Sequence, residues 1–241
     1  MSPQDTILKA TDKLSRQLSR LKFGEPVTHV YNPLVYAKDP HTKYINKYAK
    51  GRKRVLFLGM NPGPFGMAQT GIPFGEIDHA ANFLKVRGVV KQPKNQHPKR
   101  PIQGFDCPRS EVSGRRLWGS FGEHFGSASR FFKEHFVANY CPLVFMETSG
   151  KNRTPDKLAK EEREQLFKYC DQYLELVVNT LEPEYVVGVG RFAKDRAAAV
   201  LESHDVTIAQ ILHPSPASPW ANKDWWGTVQ KQMKAQNIWP A

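Results

Sequence analysis

The sequence predicts an α/β fold, a sandwich of helices around a mostly parallel sheet. Three observations point there. Four short apolar runs, at 55–58, 136–138, 185–187 and 208–212, each end at or beside Gly, Asn or Pro, as strands buried on both faces do. Segments with apolar residues at helical spacing separate these runs, and strands that alternate with helices pair in parallel. The chain has 241 residues, 40% of them hydrophobic, which suits one domain with a sizeable core.

The elements follow in chain order. Ile7, Leu14, Leu18 and Leu21 recur every three, four or seven residues among Lys and Arg. They make 4–22 an amphipathic helix, an N-terminal extension over about 1–24 of a domain spanning 1–241. Residues 23–53, rich in Pro, Tyr and Lys, read as irregular connection. Val55–Leu58 is the first strand, and Gly59 stops it. The stretch 91–101 sets Pro93, Pro98 and Pro101 among Lys91, Lys94, Lys99 and Arg100, and reads as an exposed extended loop. Residues 112–134 hold one or two short helices broken near Gly126. After the second strand, Leu166, Tyr169, Tyr173, Leu176 and Leu181 give a helix over 156–182 that Pro183 closes. The third strand, a helix at 191–203, the fourth strand and a helix at 221–237 complete the chain.

Lys and Arg outnumber Asp and Glu by 35 to 23, a net charge of +12. That surplus favours a polyanionic partner, most commonly nucleic acid, although a generally basic soluble enzyme carries it too. Cys107, Cys141 and Cys170 contain no C-x-x-C pair. The spacing speaks against a disulfide framework or a Cys-only zinc or iron–sulfur site, and for an intracellular setting. Asp5, Lys9, Asp12 and Lys13 interrupt any secretory apolar core, and no apolar run is long enough to span a bilayer. H-E-x-x-H, the P-loop and the zinc-deaminase pattern are all missing from the sequence.

Parallel strands send their carboxyl ends to one edge of the sheet, where ligands bind. Four turns therefore converge: Gly59-Met60-Asn61-Pro62-Gly63-Pro64, Asn139-Tyr140-Cys141-Pro142, Gly188-Val189-Gly190-Arg191 and His213-Pro214-Ser215-Pro216. Asn61, in a loop stiffened by two prolines, either offers its amide to a water or base edge or merely caps a structural turn. His213 either donates a hydrogen bond to a developing anion or is a packed, satisfied histidine. Gly188-Val189-Gly190 lacks the third glycine of the dinucleotide fingerprint and reads better as a structural strand-to-helix turn. Lys151, Asn152 and Arg153, like the 91–101 loop, either bind phosphates or form a solvated charged face. Within 213–226, Pro214, Pro216, Trp220, Trp225 and Trp226 either wedge into a base stack or pack as core of the last helix.

The run from Gly59 to Gly71, followed by Pro73-Phe74-Gly75, closely resembles the single-strand-selective monofunctional uracil-DNA glycosylases. The resemblance continues through His97–Pro101, Ser110–Gly114, Asn139 with Cys141-Pro142, Val186–Arg191 and His213–Pro216, and covers roughly residues 25–240. It implies a three-layer α/β/α sandwich with a central four-stranded parallel sheet. It implies that Asn61 positions the attacking water and that His213 bonds uracil O2. Phe74 would stack on the flipped ring, Asn139 read the O4 and N3–H edge, and backbone at Met60 and Gly63 line the pocket. Lys151, Asn152, Arg153, Pro214, Ser215, Pro216 and Trp225 would meet DNA. The partner implied is uracil-containing DNA, single- or double-stranded, with 5-hydroxymethyluracil and related oxidised pyrimidines also accepted. A monomer is expected, with no metal or cofactor and no membrane, in the nucleus of a eukaryote or the cytoplasm or nucleoid of a bacterium. Ala217, where a basic residue is expected, and bulky Trp220 depart from the family pattern. Two rivals stay open: a nucleoside hydrolase, and a non-catalytic module that binds damaged bases.

Overall fold

The computed structural model describes residues 1–240. Helix α1 (Pro3–Leu18) starts in a capping box: Asp5 N–H donates to Ser2 Oγ, and the Asp5 carboxylate accepts back from Ser2. Ile7, Leu14 and Leu18 along one stripe are buried in the main core, so α1 is packed into the body of the molecule.

The segment 23–53 is not irregular. It holds strand β1 (Val27–Tyr31), the short helix α2 (Pro33–Tyr36) and helix α3 (Lys38–Tyr48). Its tyrosines, which resemble loop composition in sequence, are core residues with satisfied hydroxyls. Tyr44 donates to Val137 O and Tyr48 to Leu84 O, which lets both phenols be fully enclosed.

Strand β2 (Val55–Gly59) is buried throughout. It leads through the loop at 60–66 into the single turn α4 (Met67–Thr70). A long coil then carries the exposed Lys91, Lys94 and Lys99; buried His97 pins it, accepting at Nδ1 from Lys99 N–H and donating at Nε2 to Thr148 O. Helices α5 (Val112–Phe125) and α6 (Ala128–Glu134) break at Gly126, as the sequence predicts. Strand β3 (His135–Asn139), strands β4 (Val144–Glu147) and β5 (Asn152–Arg153), and helix α7 (Lys160–Leu181) follow. Strand β6 (Tyr185–Val189), helix α8 (Arg191–Val200), strand β7 (Thr207–Ile211) and helix α9 (Pro219–Ala235) end the fold.

The central sheet has the order β3-β2-β6-β7, every pair parallel, with helices covering it. It is the four-stranded α/β architecture expected. A second, antiparallel sheet, β1-β4-β5, was not foreseen. It braces the chain just beyond β3, on the edge where the loops converge.

Candidate active site

The carboxyl ends of β2, β3 and β7 open onto one cavity of about 440 Å³, within the ~300–1,000 Å³ range of small-ligand clefts. Met60, Asn61, Gly63, Phe74, Asn139, His213 and Ser215 all line it. The Gly188–Gly190 turn does not; it runs directly into α8. A second hollow of about 630 Å³ lies where β6 and β7 begin, lined by Arg52, Glu182 and Asp205 among others. It is remote from these loops, and Arg52 and Glu182 already pair with each other there.

Asn61 is oriented, not loose. Its Nδ2 donates to Leu143 O at 3.3 Å, which leaves Oδ1 as the free acceptor of the amide. The loop around it is tied down on both sides. Tyr140 N–H donates to Gly59 O and Cys141 N–H to Met60 O, while Gln69 and Asn152 donate to Pro64 O and Pro62 O.

His213 has its tautomer set by its neighbour. Ser215 N–H donates to Nδ1 at 3.1 Å, so the neutral ring carries its proton on Nε2. Burial pushes its pKa down to about 4, and the ring is a neutral donor at pH 7. Arg116 braces the loop that follows, donating to Pro214 O and to Asn222 Oδ1.

Phe74 and Asn139 form one wall. Phe74 is buried, with its ring centroid 6.3 Å from that of His213. Its φ of 52° lies in the left-handed region, which costs a non-glycine residue about 1–3 kcal/mol. Asn139 Nδ2 meets Met67 Sδ at 3.2 Å, and its buried Oδ1 has no partner in the protein. Gly59 lets both residues close in: a Cβ there would sit 2.3 Å from Asn139 Oδ1 and 2.6 Å from Phe74 Cε2.

Met67, Ser113, Thr154 and Glu111 also line the cavity, without a role assigned from sequence, and Glu111 is the charged one. Glu111, just before α5, lines the cavity with an enclosed Oε2 that accepts no hydrogen bond. Burial lifts its pKa to about 7, Glu76 adds in the same direction, and the amides of Phe65 and Gly66 pull it back in part. A glutamate before a helix usually faces solvent, so its residue type gave no warning.

The residues expected at DNA divide. Lys151 and Pro216 are exposed, and Ser215 lines the cavity. Pro214 is buried. Asn152 lines the cavity too, and its Nδ2 donates to Pro62 O. Arg153 pairs with Glu147 at 3.0 Å and donates to Lys157 O, so its guanidinium is anchored to the protein with N–H groups to spare. Trp225 corrects the expectation outright. It is 4% exposed and its Nε1–H donates to Leu212 O, which makes it core of α9. Trp220, by contrast, is 70% exposed, with Lys223 Nζ 5.4 Å from its ring.

A family profile described as the Uracil DNA glycosylase superfamily matches residues 45–239. The chain is 47% identical over 230 residues to proteins named single-strand selective monofunctional uracil-DNA glycosylase. For that of Rattus norvegicus the match covers 95% of this chain and 83% of the relative; for that of Bos taurus it covers 95% and 85%. A crystal structure of Pedobacter heparinus SMUG2 superposes with a TM-score of 0.70 at 17% identity, over 98% of this chain and 97% of that one.

Proposed function

The chain belongs to the uracil DNA glycosylase superfamily, and from that premise we infer that it is a monofunctional uracil-DNA glycosylase of base excision repair. It takes uracil out of the base stack and hydrolyses the bond between deoxyribose C1′ and uracil N1, leaving an abasic site.

Rupture of that bond leaves positive charge on the sugar and negative charge on the base. The carrying observation is that a neutral Nε2–H donor, on His213, faces the same cavity as an anchored Asn61 amide. His213 donates to uracil O2 as the base acquires charge. A fixed donor of this kind is typically worth about 2.7–4 kcal/mol of barrier. Asn61 is too weak a base to deprotonate water at neutral pH, so it orients the water that attacks C1′. Phe74 stacks on the extruded ring. Asn139 accepts from N3–H through its unpartnered Oδ1 and donates to O4; cytosine, with no N3–H and an amine at C4, mismatches both. Among the described residues no lysine lines the cavity, which fits hydrolysis without a sugar imine and without strand cleavage.

The finer reading extends to partners. The protein acts as a monomer inside the cell, on uracil in single- and double-stranded DNA, and also releases 5-hydroxymethyluracil. Exposed Lys151 and Pro216 meet the DNA near the cavity mouth. The net charge of +12 draws the backbone in. Flipping costs a few kcal/mol in duplex and less in a single strand. Chromatography of bases released from single- and double-stranded oligonucleotides carrying each lesion tests this. Free uracil with intact strands until alkali is the expected result. Retained uracil, or scission without alkali, would refute it.

A further inference from the structure

We propose that Glu111 is a working member of the cavity in its neutral, carboxylic acid form, where it holds the 60–66 loop in place and keeps negative charge away from a base that leaves as an anion. The inference rests on the glycosylase reading above and deepens it.

The placement is specific. A Cβ built on Gly63 would lie 2.0 Å from Glu111 Oε2, and one on Gly66 would lie 2.6 Å from Oε1. The carboxyl group fills the room that these two glycines leave, directly behind the loop that carries Asn61. It shares the cavity with Asn61, Asn139 and His213. Its Oε2 is buried without a hydrogen-bond partner, an arrangement that costs free energy unless something uses it.

Charge decides which protonation state can work. An ionised carboxylate there would oppose the build-up of charge on uracil, in surroundings that screen poorly. Among the described residues no cation figures among the groups that shift it. Arg109 stacks on Phe65, 4.0 Å from the ring centroid, and Arg115 donates to Ser110 Oγ. Glu76 repels it while engaged by His79, and His213 is neutral. The enclosed carboxyl titrates at about 7, so at neutral pH a large share is already protonated. DNA phosphates raise that share further.

Only Glu111 and His213 titrate among the residues lining the cavity, and His213 is neutral well below pH 6. Single-turnover uracil release from a single-stranded oligonucleotide, with enzyme saturating, is therefore measured from about pH 6 to pH 8.5. The wild-type rate is expected to fall about tenfold per pH unit above a midpoint at or above neutrality. Glu111→Gln is expected to run severalfold slower but level across the range. A wild-type basic limb that persists in Glu111→Gln, or a level wild-type profile, overturns the proposal. Should Glu111→Gln fail to fold, carbon-13 titration of glutamate-labelled wild-type protein replaces it. One side-chain carboxyl with a midpoint near neutrality supports the proposal, and none above about pH 6 overturns it. Absence of free uracil at every pH would strike the glycosylase reading itself, which separates the two failures.

Discussion

Replacing Gly59 with alanine tests how tightly the base-reading wall is built. The added methyl would sit 2.3 Å from Asn139 Oδ1 and 2.6 and 2.8 Å from two Phe74 ring carbons, where ordinary contacts begin at 3.4 Å. Asn139 must therefore withdraw by about 1 Å, and neither residue has an easy retreat. Asn139 lies in β3 in register with Gly59, and Phe74 is held at φ 52° with its carbonyl against Gly114. A misplacement of ~1 Å in a reacting geometry costs about 100-fold in rate. Overpacking of this kind costs about 1–3 kcal/mol, which in a chain of this size lowers Tm by roughly 2–12 °C. Single-turnover uracil release on the folded variant, beside a thermal melt, reads both effects. A wild-type rate together with a lowered Tm would mean that Asn139 and Phe74 do not hold the base, and would refute the reasoning.

Two further outcomes follow from the histidines. His213→Ala should lower single-turnover uracil release by about 10²–10³-fold while oligonucleotide binding largely survives; equal loss of both would remove its role as donor. His135 makes the fold acid-sensitive. Its Nδ1–H donates to Phe131 O and its Nε2 accepts from Trp239 Nε1–H, so a second proton must break the Trp239 bond. Burial holds its pKa near 4, below the unfolded value of 6.5, and the unfolded chain binds the proton first as pH falls. Stability from this residue is complete above pH 6.5 and lost progressively down to pH 4, about 3 kcal/mol in all. Urea unfolding at pH 7 and pH 4.5 should show a smaller loss in His135→Gln than in wild type. An equal loss would assign the acid sensitivity elsewhere.

The sequence made the central sheet legible because its strands are buried on both faces and read as unbroken apolar runs. Four runs followed by Gly, Asn or His-Pro turns also placed Asn61, Asn139 and His213 on one edge. The second sheet stayed hidden for the opposite reason. Val27-Thr28-His29-Val30-Tyr31 is apolar at its ends and mixed between, and the strand at the sheet's other edge, β5, is two residues long. Helix α3 was hidden by Lys38, Pro40 and Lys43, although Tyr44 and Tyr48 sit one turn apart on its buried side. Trp225 and Trp220 show the limit of residue type as a guide. The same side chain, five positions apart and on either side of the non-helical Asp224, is core in one case and exposed in the other. Glu111 shows the limit of motif reading, because its burial comes from two glycines more than forty positions upstream.

Asn152 separates two ways in which the second sheet can serve the site. It sits in β5, was expected to touch DNA, and instead sends Nδ2 to Pro62 O at 3.2 Å, one residue from Asn61. A strut and a phosphate contact fail differently. If Asn152 is a strut, Asn152→Ala frees one side of the loop and removes a hydrogen bond worth about 0.5–1.5 kcal/mol. Asn61 then loses its fixed angle to the water, and single-turnover release at saturation falls severalfold with affinity and its salt dependence unchanged. If Asn152 instead helps hold the DNA, affinity falls and the rate at saturation stays. The structure favours the strut, because Nδ2 already donates to the loop at Pro62 O, and Oδ1, buried and an acceptor only, would repel a phosphate. Weaker binding at an unchanged saturated rate would reverse that assignment and return β5 to the nucleic-acid surface.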